Sequence, residues 1–124
     1  MINYLLVFAG GGLGSAARFG ISLWMKNHSS VFPWATLCSN AISSFILGMT
    51  LGLLAGKNAG PLQAPLILFI AVGFCGGFST FSTFSFETID LIRSGNVMMA
   101  LSNIGLNLLI CLALTFAGLL ITKP

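Results

Sequence analysis

Four long apolar runs dominate the pattern of this chain, at roughly residues 2–24, 34–55, 64–86 and 97–121. Most charged residues stand at the ends of these runs or in the short stretches between them. Each run reaches the ~20 residues that a helix needs to cross the hydrocarbon core of a bilayer. The pattern therefore predicts an all-α membrane protein with four transmembrane helices, folded as a single integral membrane domain over residues 1–124.

The third run departs from an ordinary spanning helix between Gly73 and Glu87, where the sequence reads GFCGGFSTFSTFSFE. Gly76 and Gly77 weaken a helix at a depth where lipid demands continuous internal hydrogen bonds. Irregular backbone at this depth is tolerated only where protein or a water-filled cavity covers it. We therefore predict that the third helix is broken near its middle and that a functional site lies there.

A helical wheel of this segment separates an aromatic side from a hydroxyl side. The aromatic side carries Phe74, Phe78, Phe81 and Phe84, and the polar side carries Ser79, Thr80, Thr83 and Glu87, with Ser82 at its margin. A stripe of phenylalanines alone is typical of packing. Beside a hydroxyl stripe and a helix break, it favours the wall of a polar path.

Polar residues also recur at helical spacing in the second and fourth runs. Asn40 and Ser44 are four residues apart, and the fourth run carries Asn103, Asn107, Cys111 and Thr115 at the same spacing. Hydrogen bonds between helices are one interpretation. The other is a narrow polar path, in which the neutral N–H groups of an asparagine bind an anion without a counter-charge.

Gly10 and Gly14 in the first run are four residues apart, so they strip one helix face of side chains and let another helix approach closely. Arg18 lies one turn further along the same face. A charge this deep in a span is costly and faces protein or water. It either draws anions into a vestibule or is a snorkelling or ion-paired structural residue.

Composition excludes several classes of protein. A charged fraction of 6% and a mean hydropathy of +1.02 exclude an ordinary soluble protein, and a net charge of +3 is too thinly spread to indicate nucleic-acid binding. Cys38, Cys75 and Cys111 are far apart and His28 is the only histidine, so we predict no metal cluster. We find no nucleophile–base pair and predict that the chain is not an enzyme.

The positive charges are almost equally divided between the two sides of the membrane, so they do not predict one orientation of the chain in it. Lys57 and Lys123 would lie on one side of the membrane, and Lys26 and Arg93 on the other. Such balance predicts insertion in both orientations and an antiparallel homodimer. The alternative is that other factors fix a single orientation.

The segments GGGLGSAARFG, WATLCSNAISSFILG and GFCGGFSTFSTFSFE resemble the Fluc (CrcB) family of bacterial fluoride channels, and the similarity covers essentially the whole chain. The resemblance implies four-helix subunits that insert with dual topology in the bacterial inner membrane. It also implies an antiparallel dimer with two pores, which exports cytoplasmic fluoride.

The resemblance also implies roles for single residues. Phe81 and Phe84 match positions whose ring edges face fluoride, Asn40 matches a pore asparagine, and Ser82 and Thr83 match hydroxyls beside the rings. Gly76 and Ser79 match positions whose backbone carbonyls hold a central structural sodium ion. Arg18, Ser44 and Glu87 are expected in vestibule or supporting positions. Asn107 is expected in the pore, although Asn107 and Cys111 stand where other members carry residues such as serine or histidine.

Two other functions are alternatives to a fluoride channel. A small multidrug exporter coupled to protons is also a four-helix protein, but it needs an acidic residue deep in its first helix, and this first run has none. A non-conducting assembly subunit would explain the glycine faces but not the polar stripes. The expected partners are therefore a second copy of the chain, fluoride and the lipid bilayer.

Overall fold

Four helical spans make up the structure, a computed structural model that describes residues 1–28, 31–54 and 60–122. The helices are α1 (Ile2–Met25), α2 (Trp34–Leu54), α3 (residues 63–78), α4 (Phe81–Arg93) and α5 (Val97–Ile121), with a short 3₁₀ turn at Lys26–His28. Helices α3 and α4 together form the third span, Gln63–Arg93. All four spans are long and apolar enough to cross a membrane, so the predicted all-helical membrane fold is confirmed.

The boundaries differ slightly from the predicted ones. The second span ends at Leu54 within the described residues, and the third continues past the predicted residue 86 to Arg93. Lys57 and Lys123, on which the prediction of dual topology partly depends, lie outside the residues that the structure describes.

The interior of the subunit is more polar than its surface. Large apolar side chains such as Phe8 and Leu109 are exposed, whereas Ser39 and Asn103 are the largest fully buried side chains. Lipid tails are as apolar as leucine, so an apolar exterior costs nothing in a membrane. Buried hydroxyls and amides must then find hydrogen bonds inside the protein.

Glycines bring α1 and α3 into contact through their main chains. A Cβ atom on Gly10 or Gly14 would collide with backbone atoms of Phe69 or Phe74, and a Cβ atom on Gly77 would collide with the backbone of Gly11. Small residues at this spacing let helix axes approach closely. The predicted glycine face of the first span is therefore the face that contacts the third.

A second glycine contact joins α2 to α5. A Cβ atom on Gly48 would collide with the backbone of Thr115, and one on Gly118 would lie 2.6 Å from the Phe45 carbonyl and 2.7 Å from the Met49 amide. The four spans therefore form two close pairs, α1 with α3 and α2 with α5.

The third span consists of five successive stretches with different backbone conformations. It is α-helical at Gln63–Leu66, winds as a π-helix over Ile67–Cys75 and returns to α-helix at Gly76–Phe78. Ser79 (φ −76°, ψ 156°) and Thr80 (φ −150°, ψ 113°) are then extended before α4 begins. Gly76 and Gly77 are themselves helical, and the extended residues follow directly after Phe78.

Two hydrogen bonds explain why the extended residues lie at this position. The Thr80 hydroxyl accepts from the Thr83 amide at 3.2 Å and so caps the first turn of α4. The Thr80 amide donates to Asn40 Oδ1 at 2.8 Å. In a continuous α-helix that amide would bond the Gly76 carbonyl. A side chain of α2 thus replaces one bond of the third span.

The extended pair divides the predicted aromatic stripe. Phe74 and Phe78 form one ring pair with centroids 5.4 Å apart, and Phe81 and Phe84 form another at 5.6 Å. Phe78 is only 4% exposed, whereas Phe81 is 79% exposed. The two ring pairs therefore have different surroundings, because the backbone turns between them.

Candidate functional site

An open groove of about 530 Å³ lies where the extended pair meets α2, α4 and α5. Its lining residues are Asn40, Ser44, Ser79, Thr80, Phe81, Phe84, Ile104, Asn107, Leu108, Cys111, Leu112 and Thr115. The groove brings together the polar stripes of the second and fourth spans and the second ring pair. Among the described residues that line it, none carries a formal charge.

Asn40 connects the groove to the extended pair. Its Oδ1 accepts from the Thr80 amide at 2.8 Å, and its Nδ2 donates to Asn107 Oδ1 at 3.0 Å. A further contact from Nδ2 to the Thr80 carbonyl is 3.5 Å long. The oxygen of Asn40 is therefore turned to the backbone, and its nitrogen is held by the fourth span.

The hydrogen bonds continue from Asn107 into the protein. Asn107 Nδ2 donates to Asn103 Oδ1 at 2.9 Å and to the Asn103 carbonyl at 3.0 Å. Asn103 Nδ2 donates to the Thr88 hydroxyl at 2.9 Å, and this hydroxyl donates to the Phe84 carbonyl at 2.7 Å. We call Asn40, Asn107, Asn103 and Thr88 the amide relay; it starts beside Thr80 and ends on the main chain of α4.

Phe81 and Phe84 both line the groove, with their ring planes inclined at 45°. The edge of an aromatic ring carries partial positive charge and its face partial negative charge. Because the two rings are tilted, they do not both turn the same part, edge or face, toward an ion in the groove. A ring edge that faces the groove can contact an anion.

Ser82 and Thr83 lie beside this groove but do not line it. The Thr80 hydroxyl donates to Thr83 Oγ1 at 3.0 Å and lies 3.3 Å from Ser82 Oγ. The three hydroxyls form a cluster around the first turn of α4, and Thr80 is the member that reaches the groove.

Arg18 lies on the other side of the third span. Its Nε donates to the Gly77 carbonyl at 3.2 Å, and Ser15 Oγ lies 3.5 Å from the same oxygen. This carbonyl belongs to the last α-helical turn before the extended pair. Arg18 therefore contacts the backbone near the interruption and does not line the groove.

Glu87 faces a second cavity, of about 330 Å³, near the ends of α1 and α4. Its Oε1 accepts from the Thr36 hydroxyl at 2.8 Å, and its buried Oε2 has no hydrogen-bond partner among the described residues. Lys26, Asp90 and the aromatic residues Phe32 and Trp34 also line this cavity. The structure separates Glu87 from the groove.

The proposed sodium ligands occupy different surroundings within the subunit. Gly76 is exposed, and a Cβ atom there would meet nothing within 4 Å. The amide that would normally bond its carbonyl donates to Asn40 instead. Ser79 is extended and lines the groove. A backbone carbonyl oxygen freed from helical bonding is a hard ligand, so the donor set is compatible with a cation.

Comparison with known proteins identifies the family. Residues 5–119 match the family described as "CrcB-like protein, Camphor Resistance (CrcB)". The chain belongs to the CrcB family. It is 42% identical to "Fluoride-specific ion channel FluC" of Pyrococcus abyssi over 96% of this chain and 94% of that protein. The protein of the same name from Thermus thermophilus is 44% identical, over 94% and 90%, and that of Idiomarina loihiensis 38% identical, over 98% and 92%.

Membership of the CrcB family supports several sequence predictions. Relatives named as ion channels agree with the prediction that the chain is not an enzyme. Four spanning helices in a CrcB protein make it a multi-pass membrane protein, and this fits the predicted bacterial inner membrane. The alternative of a multidrug exporter receives no support from these relatives.

Sequence reasoning missed two residues of this CrcB site. Thr36 binds Glu87, and Thr88 ends the amide relay. Thr36 precedes Asn40 by four residues, so extending the stripe of α2 backwards by one turn would have found it. Thr88 follows the conspicuous third-span motif, and only the packing of α5 against α4 reveals its partner.

Proposed function

We propose that this chain is a fluoride-selective ion channel that exports cytoplasmic fluoride along the groove. The observation that carries the proposal is an uncharged groove that combines an asparagine amide with two tilted phenylalanine rings. A small anion shedding its water needs weak donors at close range, and a formal charge would hold it too tightly to leave. The names of the CrcB relatives support fluoride as that anion.

Asn40 supplies the donor in this proposal. Its oxygen accepts from the Thr80 amide and one proton of its nitrogen binds Asn107, so the second proton of the nitrogen is the donor for an anion. Phe81 and Phe84 add ring edges on the adjacent wall. Ser44, Asn107, Cys111 and Thr115 extend the polar lining along α2 and α5, and Ser82 and Thr83 hold the Thr80 hydroxyl beside the rings.

The proposed working unit is an antiparallel homodimer of subunits inserted in both orientations. The groove is open in the single subunit, and Phe81 on its wall is 79% exposed. A narrow path through lipid needs a covering wall, because open polar surface at membrane depth is costly. In the proposed dimer, a second copy of the chain covers the groove of the first. Each subunit has one groove, so the dimer has two ion paths.

A structural sodium ion completes the proposed dimer. The Gly76 and Ser79 carbonyls of each subunit would hold it, and the ion would add a fixed positive charge between the subunits. Gly76 fits this role because it is exposed and its helical donor is diverted to Asn40. The ion would favour the dimer by mass action.

Arg18 and Glu87 are supporting residues in this proposal. Arg18 donates a hydrogen bond to the Gly77 carbonyl beside the interruption, and its charge raises the local concentration of anions. Glu87 accepts a hydrogen bond from Thr36, which lies one turn from Asn40 on α2, so it fixes the middle of α4 against α2.

Ion efflux from proteoliposomes tests the function. Vesicles loaded with fluoride, chloride or a cationic dye are compared at equal protein content. We expect rapid loss of fluoride, slow loss of chloride and no loss of dye. Dye efflux driven by a proton gradient would instead support the multidrug exporter. If no solute leaves the vesicles, the result would support a non-conducting assembly subunit.

Reporter tags at the carboxyl terminus test the dual topology separately. We expect tag activity on both sides of the membrane for the unmodified chain. Two lysines added near Lys26 should bias orientation and lower fluoride efflux, and co-expression with an oppositely biased copy should restore it. A single orientation for the unmodified chain would contradict the antiparallel dimer.

A further inference from the structure

The amide relay has a fixed direction. An asparagine side chain can be turned over, exchanging its oxygen for its nitrogen, so each amide in principle has two orientations. Here every donor points the same way, from Asn40 through Asn107 and Asn103 to Thr88. The relay is therefore a single row of aligned dipoles.

Both ends of the row impose this direction. The Thr80 amide is only a donor, so Asn40 must turn its oxygen to it. The single proton of the Thr88 hydroxyl is given to the Phe84 carbonyl, so Thr88 can only accept from Asn103. Turning over any one amide would place two oxygens or two nitrogens face to face.

Burial makes the alternative orientation costly. Asn103 is 0% exposed, and Asn107 is also buried. Water therefore cannot supply the bonds that a misoriented amide would lose, and a buried polar group without a partner carries the full penalty of desolvation. The two orientations of the row are thus far from equal in energy.

We propose that Asn103 and Thr88 are positioning residues, which hold the Asn107 oxygen toward Asn40 and, together with the Thr80 amide, keep the Asn40 nitrogen toward the groove. The inference rests on the proposed fluoride function. One proton of Asn40 Nδ2 binds Asn107, and the nearest acceptor for the other is the Thr80 carbonyl at 3.5 Å. So long a contact is weak, and that proton can turn to an anion.

The same geometry explains why the orientation matters for selectivity. A reversed Asn40 would present a carbonyl oxygen to the groove and repel an anion. Neither Asn103 nor Thr88 lines the groove, so they act on the anion through their neighbours. Asn103 acts through Asn107 and Asn40, and Thr88 acts along the same relay and through the carbonyl of Phe84. Thr88 thereby affects ion binding from outside the path.

Replacement of Thr88 tests this inference in the full-length protein. Thr88→Val keeps the shape of the side chain but removes the acceptor of Asn103, and fluoride efflux should fall about tenfold. Thr88→Ser restores the hydroxyl and should recover efflux to within about twofold. Size-exclusion chromatography in detergent checks that each variant remains assembled.

Thr50→Val is the matched control. Thr50 is 6% exposed and Thr88 is 7% exposed, and each hydroxyl donates to the carbonyl four residues earlier at 2.7 Å. Among the described residues, no side chain donates to the Thr50 hydroxyl. Efflux through Thr50→Val should therefore match that of the unmodified protein, and an equal loss at both positions would overturn the inference.

A double variant separates positioning from general weakening. In an Asn40→Ser background the amide to be oriented is gone, so Thr88→Val should cause no further loss of efflux. If Thr88→Val lowers efflux by the same factor with and without Asn40, Thr88 is only a structural residue and the inference fails.

Nuclear magnetic resonance of protein labelled with ¹⁵N-asparagine gives a readout that does not depend on conduction. Thr88→Val should shift the side-chain amide signals of Asn103, Asn107 and Asn40 together, and Thr50→Val should shift none of them. If only the side-chain amide signal of Asn103 shifts, the three amides are not coupled and the inference fails, whether or not the protein conducts fluoride. Linked shifts in a protein without fluoride efflux would instead reject the proposed function and keep the relay.

Discussion

The two close helix pairs of this protein are held by different chemistry. Between α1 and α3 the contact is main chain against main chain, with Gly10 and Gly14 facing Phe74. On the side of α2, α4 and α5, glycine contacts are joined by amides and hydroxyls, among them the half-buried Asn40 and the buried Asn107. The first pair acts as a scaffold, because its closest contacts join main chains and its Arg18 binds the Gly77 carbonyl outside the groove. The second side carries both packing and polar groups, and so it is where a path can form.

This contrast predicts two kinds of failure. A change on the scaffold side should destroy the fold together with the function. A change on the polar side should remove function from a protein that is still assembled. The four predictions below separate these outcomes, beginning with the largest effect.

Asn40→Asp should abolish fluoride efflux, by about a hundredfold or more. The substitution keeps the size of the side chain but replaces the donor with a carboxylate, which repels an anion and the relay oxygen of Asn107. Asn40→Ser retains a hydroxyl donor and should keep part of the flux. Normal efflux through the aspartate variant would reduce Asn40 to an interhelical contact.

Gly14→Ala should destabilise the protein by about 2–3 kcal/mol, since its methyl group would collide with backbone atoms of Phe74 that cannot move aside. The effect is measured as a lower midpoint of thermal unfolding in detergent. Gly12→Ala is the control, because a Cβ atom there meets nothing within 4 Å. Similar unfolding midpoints for the two variants would show that the Gly14 contact does not stabilise the fold.

Phe81→Ile and Phe84→Ile should each lower fluoride efflux about tenfold while leaving the thermal midpoint nearly unchanged, because apolar volume is roughly kept and the ring edge is lost. Phe116→Ile is the matched control, since Phe116 is also exposed but lies outside the groove. An equal loss at Phe116 would assign both rings to packing against lipid.

Gly76→Val should lower dimer stability without unfolding the subunit, a smaller effect of about 1–2 kcal/mol. Its side chain has open space within the subunit but would crowd the proposed sodium ion between two copies. Ser79→Ala keeps the backbone carbonyl and should behave like the unmodified protein. Dimer dissociation in detergent is compared in sodium and in a large organic cation, and identical stability in both would remove sodium from the proposal.

Much of this architecture could be predicted because its signals are periodic. Runs of about twenty apolar residues give the four spans, and spacing by four residues gives both the glycine face of α1 and the polar stripes. The sequence predicts Asn40 and Asn107 in the pore and Ser44 in a supporting position, and all three line one groove.

The position of the interruption could not be predicted from local preference. Gly76 and Gly77 have the weakest helix propensity in the segment, yet they are helical. The extended pair is fixed by Thr80 as a cap and by Asn40, which is forty positions earlier in the chain. Such a long-range partner leaves no periodic signal. The same reason hid the contacts of Thr36 and Thr88.

The π-helical winding of Ile67–Cys75 has a consequence for how this chain can change in length. A π-turn is equivalent to an α-helix with one inserted residue, and its wider winding absorbs that residue locally. A single deletion here would let the helix tighten to α-winding, so Gly77 would still face α1 and Phe81 would still face the groove. The α-helical turn Gly76–Phe78 has no such reserve, and a deletion there would rotate every later residue by about 100° around the axis. Single deletions should therefore be tolerated better within Ile67–Cys75 than after it.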